Sequence, residues 1–293
     1  MKPAPFEYYA PDSLGEALSL LHELGEDANV LAGGQSLVPA MNFRIVQPRI
    51  LIDLNRLSDL GYISGENQAV HVGAMTRERD LELSSLVAEH APLLAEAMPH
   101  VAHPQIRNRG TLGGSLANAD PAAELPVIMT ALEARFRTRN VARERWIPAS
   151  EFFLGLFTTA LAPDEILVEI EIPSMPPHTG WSFLEVAPRA GDYALMGVAV
   201  CLQLARAGVC QQATLVYLNA GEGPVDAREA AGLLVDTSID EASIDAAATL
   251  ASRKEVAPFG NVHASPAFQR HLADVLTRKA LRQALQRAQE TVQ

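Results

Sequence analysis

The chain is poor in cysteine, in lysine and in aromatic residues. Only Cys201 and Cys210 carry thiols. Two thiols fall short of the four that hold an iron–sulfur cluster, and they cannot build a disulfide framework. A single bridge between them is one alternative. Both lie in apolar, strand-like sequence, which reads as buried free thiols of an intracellular protein. Lysine occurs only at Lys2, Lys254 and Lys279, and 23 basic residues face 35 acidic ones, for a net charge of −12. Such a chain lacks the concentrated positive charge that binds nucleic acid. The longest apolar run, Tyr193 to Leu202, is far short of the ~20 residues of a membrane helix. Met1 to Phe6 leads into polar sequence without the apolar core of a secretory signal. The expectation is a soluble cytoplasmic protein with no membrane span. Apolar bulk is plentiful: 48% of the 293 residues are hydrophobic. That suffices for one large domain or two of ordinary size and excludes global disorder.

Periodicity marks the elements. Ser13 and Glu16 form a capping-box pattern, and Leu14, Ala17, Leu18, Leu21 and Leu24 recur at helical spacing up to Gly25. Asn29 to Ala32 reads as a strand ending in Gly33-Gly34, and Ile50 to Asp53 as another. Tyr62-Ile63 and Val70 to Val72 straddle a turn, which predicts a hairpin. Residues 76–98 read as one or two helices, and 124–132 as a further helix after a Gly- and Ala-rich loop. Ala134 to Thr138 and Val141 to Ile147 read as paired strands. Ile166, Val168, Ile170 and Ile172 alternate with Leu167, Glu169 and Glu171, a strand signature. Pro173-Ser174-Met175-Pro176-Pro177-His178-Thr179-Gly180 breaks helix and strand alike. It predicts a boundary between a first region, 1–174, and a second, 180–293. In the second, Trp181 to Val186, Gly197 to Ala205 and Ala213 to Asn219 read as three antiparallel strands. The remainder reads as helix, with Ser265 as N-cap and Pro266 at the first helical position.

Two glycine-centred segments carry the chemistry. The first is Ala32-Gly33-Gly34-Gln35-Ser36-Leu37. The second is Thr111-Leu112-Gly113-Gly114-Ser115, continuing to Asp120-Pro121. Paired glycines leave backbone N–H groups uncovered, and several in a row make a concave anion nest. Two such nests brought together would suit a pyrophosphate. Each pair taken alone reads first as an ordinary tight turn. Neither segment fits G-x-G-x-x-G after a strand or the Gly-Lys-Ser/Thr of a P-loop, so a Rossmann nicotinamide site and a nucleotide triphosphatase are disfavoured. His100-x-x-His103 is flanked by prolines and has no carboxylate or thiol partner in its pattern, so no metal site is assigned. No Ser-His-Asp or Cys-His arrangement stands out, and no catalytic residue is assigned.

Together the two segments resemble those of the medium, FAD-binding subunit of the molybdenum hydroxylases, the family of carbon monoxide dehydrogenase and xanthine dehydrogenase. The resemblance rests on Ala32 to Pro39 with Met41 and Arg44, and on Ile106 to Ser115 running into Asp120-Pro121-Ala122-Ala123-Glu124-Leu125-Pro126. Asp192-Tyr193-Ala194 and Leu276 to Leu281 add weaker matches. It implies an α+β fold: a two-lobed FAD-binding domain of the p-cresol methylhydroxylase type, then a smaller domain with a three-stranded antiparallel sheet and helices. It implies that Ala32, Gly33, Gly34, Gln35, Ser36 and Leu37, with Thr111, Leu112, Gly113, Gly114 and Ser115, hold the FAD pyrophosphate. Asp120 and Glu124 would accept hydrogen bonds from ribityl or ribose hydroxyls. Otherwise Asp120 is a turn residue and Glu124 a helix cap. Tyr193 would shield one face of the isoalloxazine, or else sit at the edge of the core. Relatives often carry Lys where this chain has Asn42, which leaves Arg44, Arg107 or Arg109 to supply a cation near the flavin.

The resemblance further implies a division of labour. The molybdenum cofactor would lie in a large subunit and two 2Fe–2S clusters in a small one. This chain would pass electrons from those clusters to an external acceptor, and the complex would be a dimer of heterotrimers. The alternative is a free-standing flavin oxidoreductase of the same flavin-domain type, acting directly on a small substrate. A third reading is a flavin-free interaction subunit.

Overall fold

The computed structural model describes residues 2–292. Three strands begin it: β1 (Glu7–Tyr9), β2 (Ala28–Leu31) and β3 (Ile50–Asp53). They form a parallel sheet in the order β1-β3-β2, with Glu7 and Ala28 both opposite Ile50. Parallel neighbours need a crossover. The segment with the helix Leu37–Asn42 makes it from β2 to β3, while the helix Leu14–Leu24 links β1 to β2 on the far side of β3, started by the Ser13 hydroxyl accepting from the Glu16 N–H at 3.2 Å. Its buried Ala17, Leu18 and Leu21 pack with Ile52 of β3.

The second lobe is antiparallel. β4 (Ile63–Glu66) and β5 (Ala69–Gly73) make the expected hairpin, and β6 (Arg135–Arg139) pairs with β7 (Glu144–Pro148). A short hairpin of β8 (Phe153–Gly155) and β9 (Thr158–Thr159) precedes β10 (Ile166–Pro173). β10 inserts between the two larger hairpins, giving the order β4-β5-β10-β6-β7. Ile166 and Val168 join the core of the first lobe, while Ile170 and Ile172 join that of the second. One strand thus fastens both lobes.

The C-terminal sheet contains β11 (Thr179–Val186), β12 (Met196–Leu204), β13 (Cys210–Leu218) and β14 (Val225–Asp226). The sequence predicts three strands, and the fourth is a correction. β14 is two residues long and pairs only Val225 with Tyr217 and Asp226 with Val216, too short for any periodicity to show. The helix Glu124–Ala131 packs on one face of this sheet and Pro266–Val292 on the other. The long helix opens as expected, with the Ser265 hydroxyl accepting from the Phe268 N–H at 3.3 Å. Cys201 and Cys210 are free thiols on adjacent strands, and burial pushes the Cys210 thiol up to about 11. Residues 76–98, read as one or two helices, form three short ones, Glu78–Leu83, Ser85–His90 and Pro92–Ala97. Among the described residues no helix is long and apolar enough to cross a membrane.

Candidate functional site

A cleft of about 590 Å³ opens between the two lobes, and Gly191, Asp192 and Tyr193 of the C-terminal region close one side. It falls within the usual volume of a small-molecule or cofactor site. All of Ala32 to Leu37, together with Thr111, Gly113, Gly114, Ser115, Asp120, Glu124 and Tyr193, line it. Leu112 does not line it; its side chain is fully buried in the second-lobe core.

The first glycine segment is open. It leaves the end of β2, turns at Gly34 with φ +72°, and enters the helix Leu37–Asn42. Among the described residues the backbone N–H groups of Gly33, Gly34, Gln35, Ser36 and Leu37 have no protein acceptor. Ser36 makes no capping bond, so its hydroxyl is also uncommitted. Five consecutive free donors beside a cleft form an anion nest of the kind that cradles phosphate.

The second segment differs. The expected loop is the helix Leu112–Asn118, capped by Thr111, whose hydroxyl accepts from the Gly114 N–H at 3.1 Å. The Leu112 and Gly113 N–H groups donate to the carbonyls of Thr76 (3.1 Å) and Ala74 (2.9 Å), and Ser115 N–H to Thr111 O (3.0 Å). These donors are spent within the protein. The glycines here allow close approach instead. A Cβ at Gly113 would lie 2.6 Å from the Ala74 Cβ, and one at Gly114 would lie 3.3 Å from the Ala32 Cβ. The two segments therefore face each other across bare backbone.

Two residues that the sequence reading missed lock this arrangement. Asn55 donates through Nδ2 to the Ala32 carbonyl at 2.8 Å. Its Oδ1 accepts from Arg77 Nη2 at 2.7 Å, and Arg77 Nη1 donates to the Arg109 carbonyl at 2.5 Å. A Cβ at Gly33 would strike that same carbonyl and lie 2.8 Å from the Gly110 Cα. One polar chain, Ala32–Asn55–Arg77–Arg109, thus ties the two segments at their point of contact. Nothing in the local sequence around Asn55 or Arg77 signals it, because both partner carbonyls are remote in the chain.

The other wall is acidic. Asp120 Oδ1 accepts from the Ala122 N–H at 2.9 Å, so the residue does shape a turn while lining the cleft. Burial raises its carboxyl above the usual value. Glu124, 7% exposed, is held at about 8 by burial and by the nearby carboxylate of Glu185. Glu78, which the sequence reading does not single out, is 5% exposed and burial pushes it to about 7. Tyr193 is 66% exposed at the cleft mouth. Of the cation candidates, Arg107 is committed: it pairs with Glu82 (2.9 and 3.0 Å) and with the carbonyls of Val101 and Ala102. Arg44 is exposed at φ +57° beyond Asn42. His100 pairs with Glu185 at 3.2 Å, and the His103 ring lies against Gly191. Among the described residues no group of three His, Cys, Asp or Glu side chains could hold a metal ion.

Known proteins place the chain in a family. Residues 4–175 match the family described as the FAD binding domain in molybdopterin dehydrogenase. Residues 181–284 match the CO dehydrogenase flavoprotein C-terminal domain. The chain is 40% identical, over 99% of its length and 98% of the relative's, to the 6-hydroxypseudooxynicotine dehydrogenase complex subunit alpha of Paenarthrobacter nicotinovorans. It is 36% identical, over 98% of its length and 99% of the relative's, to the carbon monoxide dehydrogenase medium chain of Afipia carboxidovorans. It superposes on a chain of carbon monoxide dehydrogenase from Hydrogenophaga pseudoflava, in a form lacking the Mo-pyranopterin moiety of the molybdenum cofactor, with TM-score 0.95 and 38% identity over 98% and 99% of the two chains. The chain belongs to the family of FAD-binding medium subunits of molybdenum hydroxylases. Its cofactor is FAD. The residues present fit that group: an open nest of N–H donors faces a wall on which a Cβ at Gly114 would meet Ala32.

Proposed function

We propose that this chain is the electron-transfer subunit of a heterotrimeric molybdenum hydroxylase, working in the cytoplasm. Substrate would be oxidised at a molybdenum cofactor in a large subunit. Two 2Fe–2S clusters in a small subunit would carry the electrons here, and an external acceptor would take them away. The assembly would be a dimer of such heterotrimers, with the flavin region at 1–174 and the second region at 180–293. The two cysteines support placing the clusters elsewhere, since each cluster takes four protein ligands.

The observation that carries the reading is the run of free N–H groups from Gly33 to Leu37 at the wall of the cleft. Bound FAD supplies the redox chemistry, exchanging electrons singly or in pairs. The chain's residues bind and orient it. The N–H groups of Gly33 to Leu37 and the Ser36 hydroxyl would neutralise the pyrophosphate without a side-chain cation. The Thr111 and Ser115 hydroxyls would add donors from the facing helix. Asp120 and Glu124 would meet ribityl or ribose hydroxyls, and Tyr193 would cover one face of the isoalloxazine at the mouth.

The test is purification of the chain with its native partners, followed by visible spectroscopy and metal analysis. Flavin, iron–sulfur and molybdenum signals together, with flavin reduction requiring the partners, are expected. A yellow, metal-free, solitary protein reduced directly by a small substrate would overturn the reading in favour of a free-standing oxidoreductase.

A further inference from the structure

Glu78 is placed oddly for a residue beside a phosphate nest. It opens the helix Glu78–Leu83, and its N–H donates to the Gly110 carbonyl at 3.0 Å. Its carboxyl folds back over Gly110, where a Cβ would lie 2.6 Å from the Glu78 Cδ. Gly110 is in turn the residue against which Gly33 packs, so the carboxyl borders the junction of the two glycine segments. Its Oε2 is buried and has no hydrogen-bond partner among the described residues.

Among the described residues no cation makes an ion pair or hydrogen bond with it, and the exposed Arg109 side chain makes neither with Glu78. Arg107, whose charge acts on it, is bound to Glu82 and to the carbonyls of Val101 and Ala102. Arg79 also turns to Glu82, at 2.7 Å, and Arg77 to Asn55 and the Arg109 carbonyl. Asp80 on the same helix is exposed. Toward the cleft, the groups are acidic. Glu124 feels Glu185, Glu78 and Asp120, and Glu185 in turn holds His100 with one oxygen and leaves the other unpaired. Tyr193 adds only a neutral ring beside Asp120 and Glu124.

An ionised carboxylate only accepts hydrogen bonds, whereas a carboxylic acid also donates one. A dianionic ligand placed here would be repelled by an ionised Glu78 and would accept a bond from a neutral one. We propose that Glu78 is a flavin-binding residue that acts as a neutral acid, donating its Oε2 proton in a hydrogen bond to an oxygen of FAD, so that flavin and proton are held together. The inference rests on the assignment of this cleft to FAD. The sign follows. Before flavin binds, Glu78 is neutral below about 7 and Glu124 below about 8. A bound dianion raises both further, so binding above those values takes up protons. Affinity is therefore flat at lower pH and falls as pH rises.

The full-length chain, stripped of flavin, is titrated with FAD from pH 6 to 9 by fluorescence quenching. Calorimetry in buffers of different ionisation enthalpy counts the protons. The Kd is expected to rise about fiftyfold between pH 7 and 9 for the Glu78 proton, with Glu124 adding up to about tenfold above pH 8. Proton uptake at pH 8 is expected to approach one or more per FAD. Glu78→Gln keeps a neutral donor and removes the titration, so the affinity ratio between pH 7 and 9 should collapse to about tenfold or less. Glu124→Gln should remove only the steepening above pH 8. A pH-independent Kd, no proton uptake, or the same ratio in Glu78→Gln as in the wild-type chain overturns the role of Glu78 while leaving the flavin assignment standing. Failure to bind FAD at any pH overturns that assignment and the inference with it.

Discussion

Gly33-Gly34 and Gly113-Gly114 look alike in sequence and differ in physics. At the first pair the backbone donors are free and the fold holds the segment from behind, through Asn55 on the Ala32 carbonyl. At the second the donors are spent on Thr76, Ala74 and Thr111, and the absent Cβ atoms let a helix press against the edge of β5 and against Ala32. One pair is suited to bind and the other to pack. The comparison teaches that a glycine pair announces bare backbone, and that the destination of its N–H groups decides what the bareness is for.

Substitutions can break this contrast. The largest effect is expected from Gly33→Ala. Its Cβ would meet the backbone of Arg109 and Gly110, part the two segments and disturb the nest at once. Overpacking of that kind costs about 1–3 kcal/mol, and FAD affinity should fall at least about tenfold to a hundredfold beyond it; thermal melts and flavin titration measure the two losses. Gly113→Ala would drive its Cβ against Ala74 and should lower stability by a similar 1–3 kcal/mol, about as much as Gly33→Ala, while the folded fraction keeps FAD affinity within about tenfold. An equal loss of flavin in both variants would erase the distinction. Asn55→Ala leaves the Ala32 carbonyl and Arg77 short of a partner. It should cost about 1–2 kcal/mol in a denaturant melt and weaken FAD several-fold by loosening the first segment. Thr111→Val removes the cap on the second segment and should cost about 1 kcal/mol of stability, with a smaller flavin effect than Asn55→Ala.

Much of this was readable from residues, and what was not has identifiable causes. The helix Leu14–Leu24, β3, the β4–β5 hairpin, β10 and the three long C-terminal strands follow from period and punctuation. The two glycine segments do converge on one cleft, as the resemblance implied. The helix Leu112–Asn118 was hidden because Gly113-Gly114 disfavours helix locally, and the carbonyls of Thr76 and Ala74 that hold its first turn lie far back in the chain. Asn55 and Arg77 were hidden for the same reason. Glu78 was hidden by its neighbours: Arg77-Glu78-Arg79-Asp80 is a run of charges at the start of the stretch read as helix over 76–98, and its contact with Gly110 is remote in the chain. β14 was too short to carry a pattern.

Hydrogen–deuterium exchange of the full chain, with and without FAD, tests the central claim most directly. The amides of Gly33 to Leu37 should exchange fast in the flavin-free chain and become strongly protected with FAD, while those of Leu112 to Ser115 should be protected in both states. Unchanged exchange at 33–37, or protection gained equally at both segments, would contradict the account.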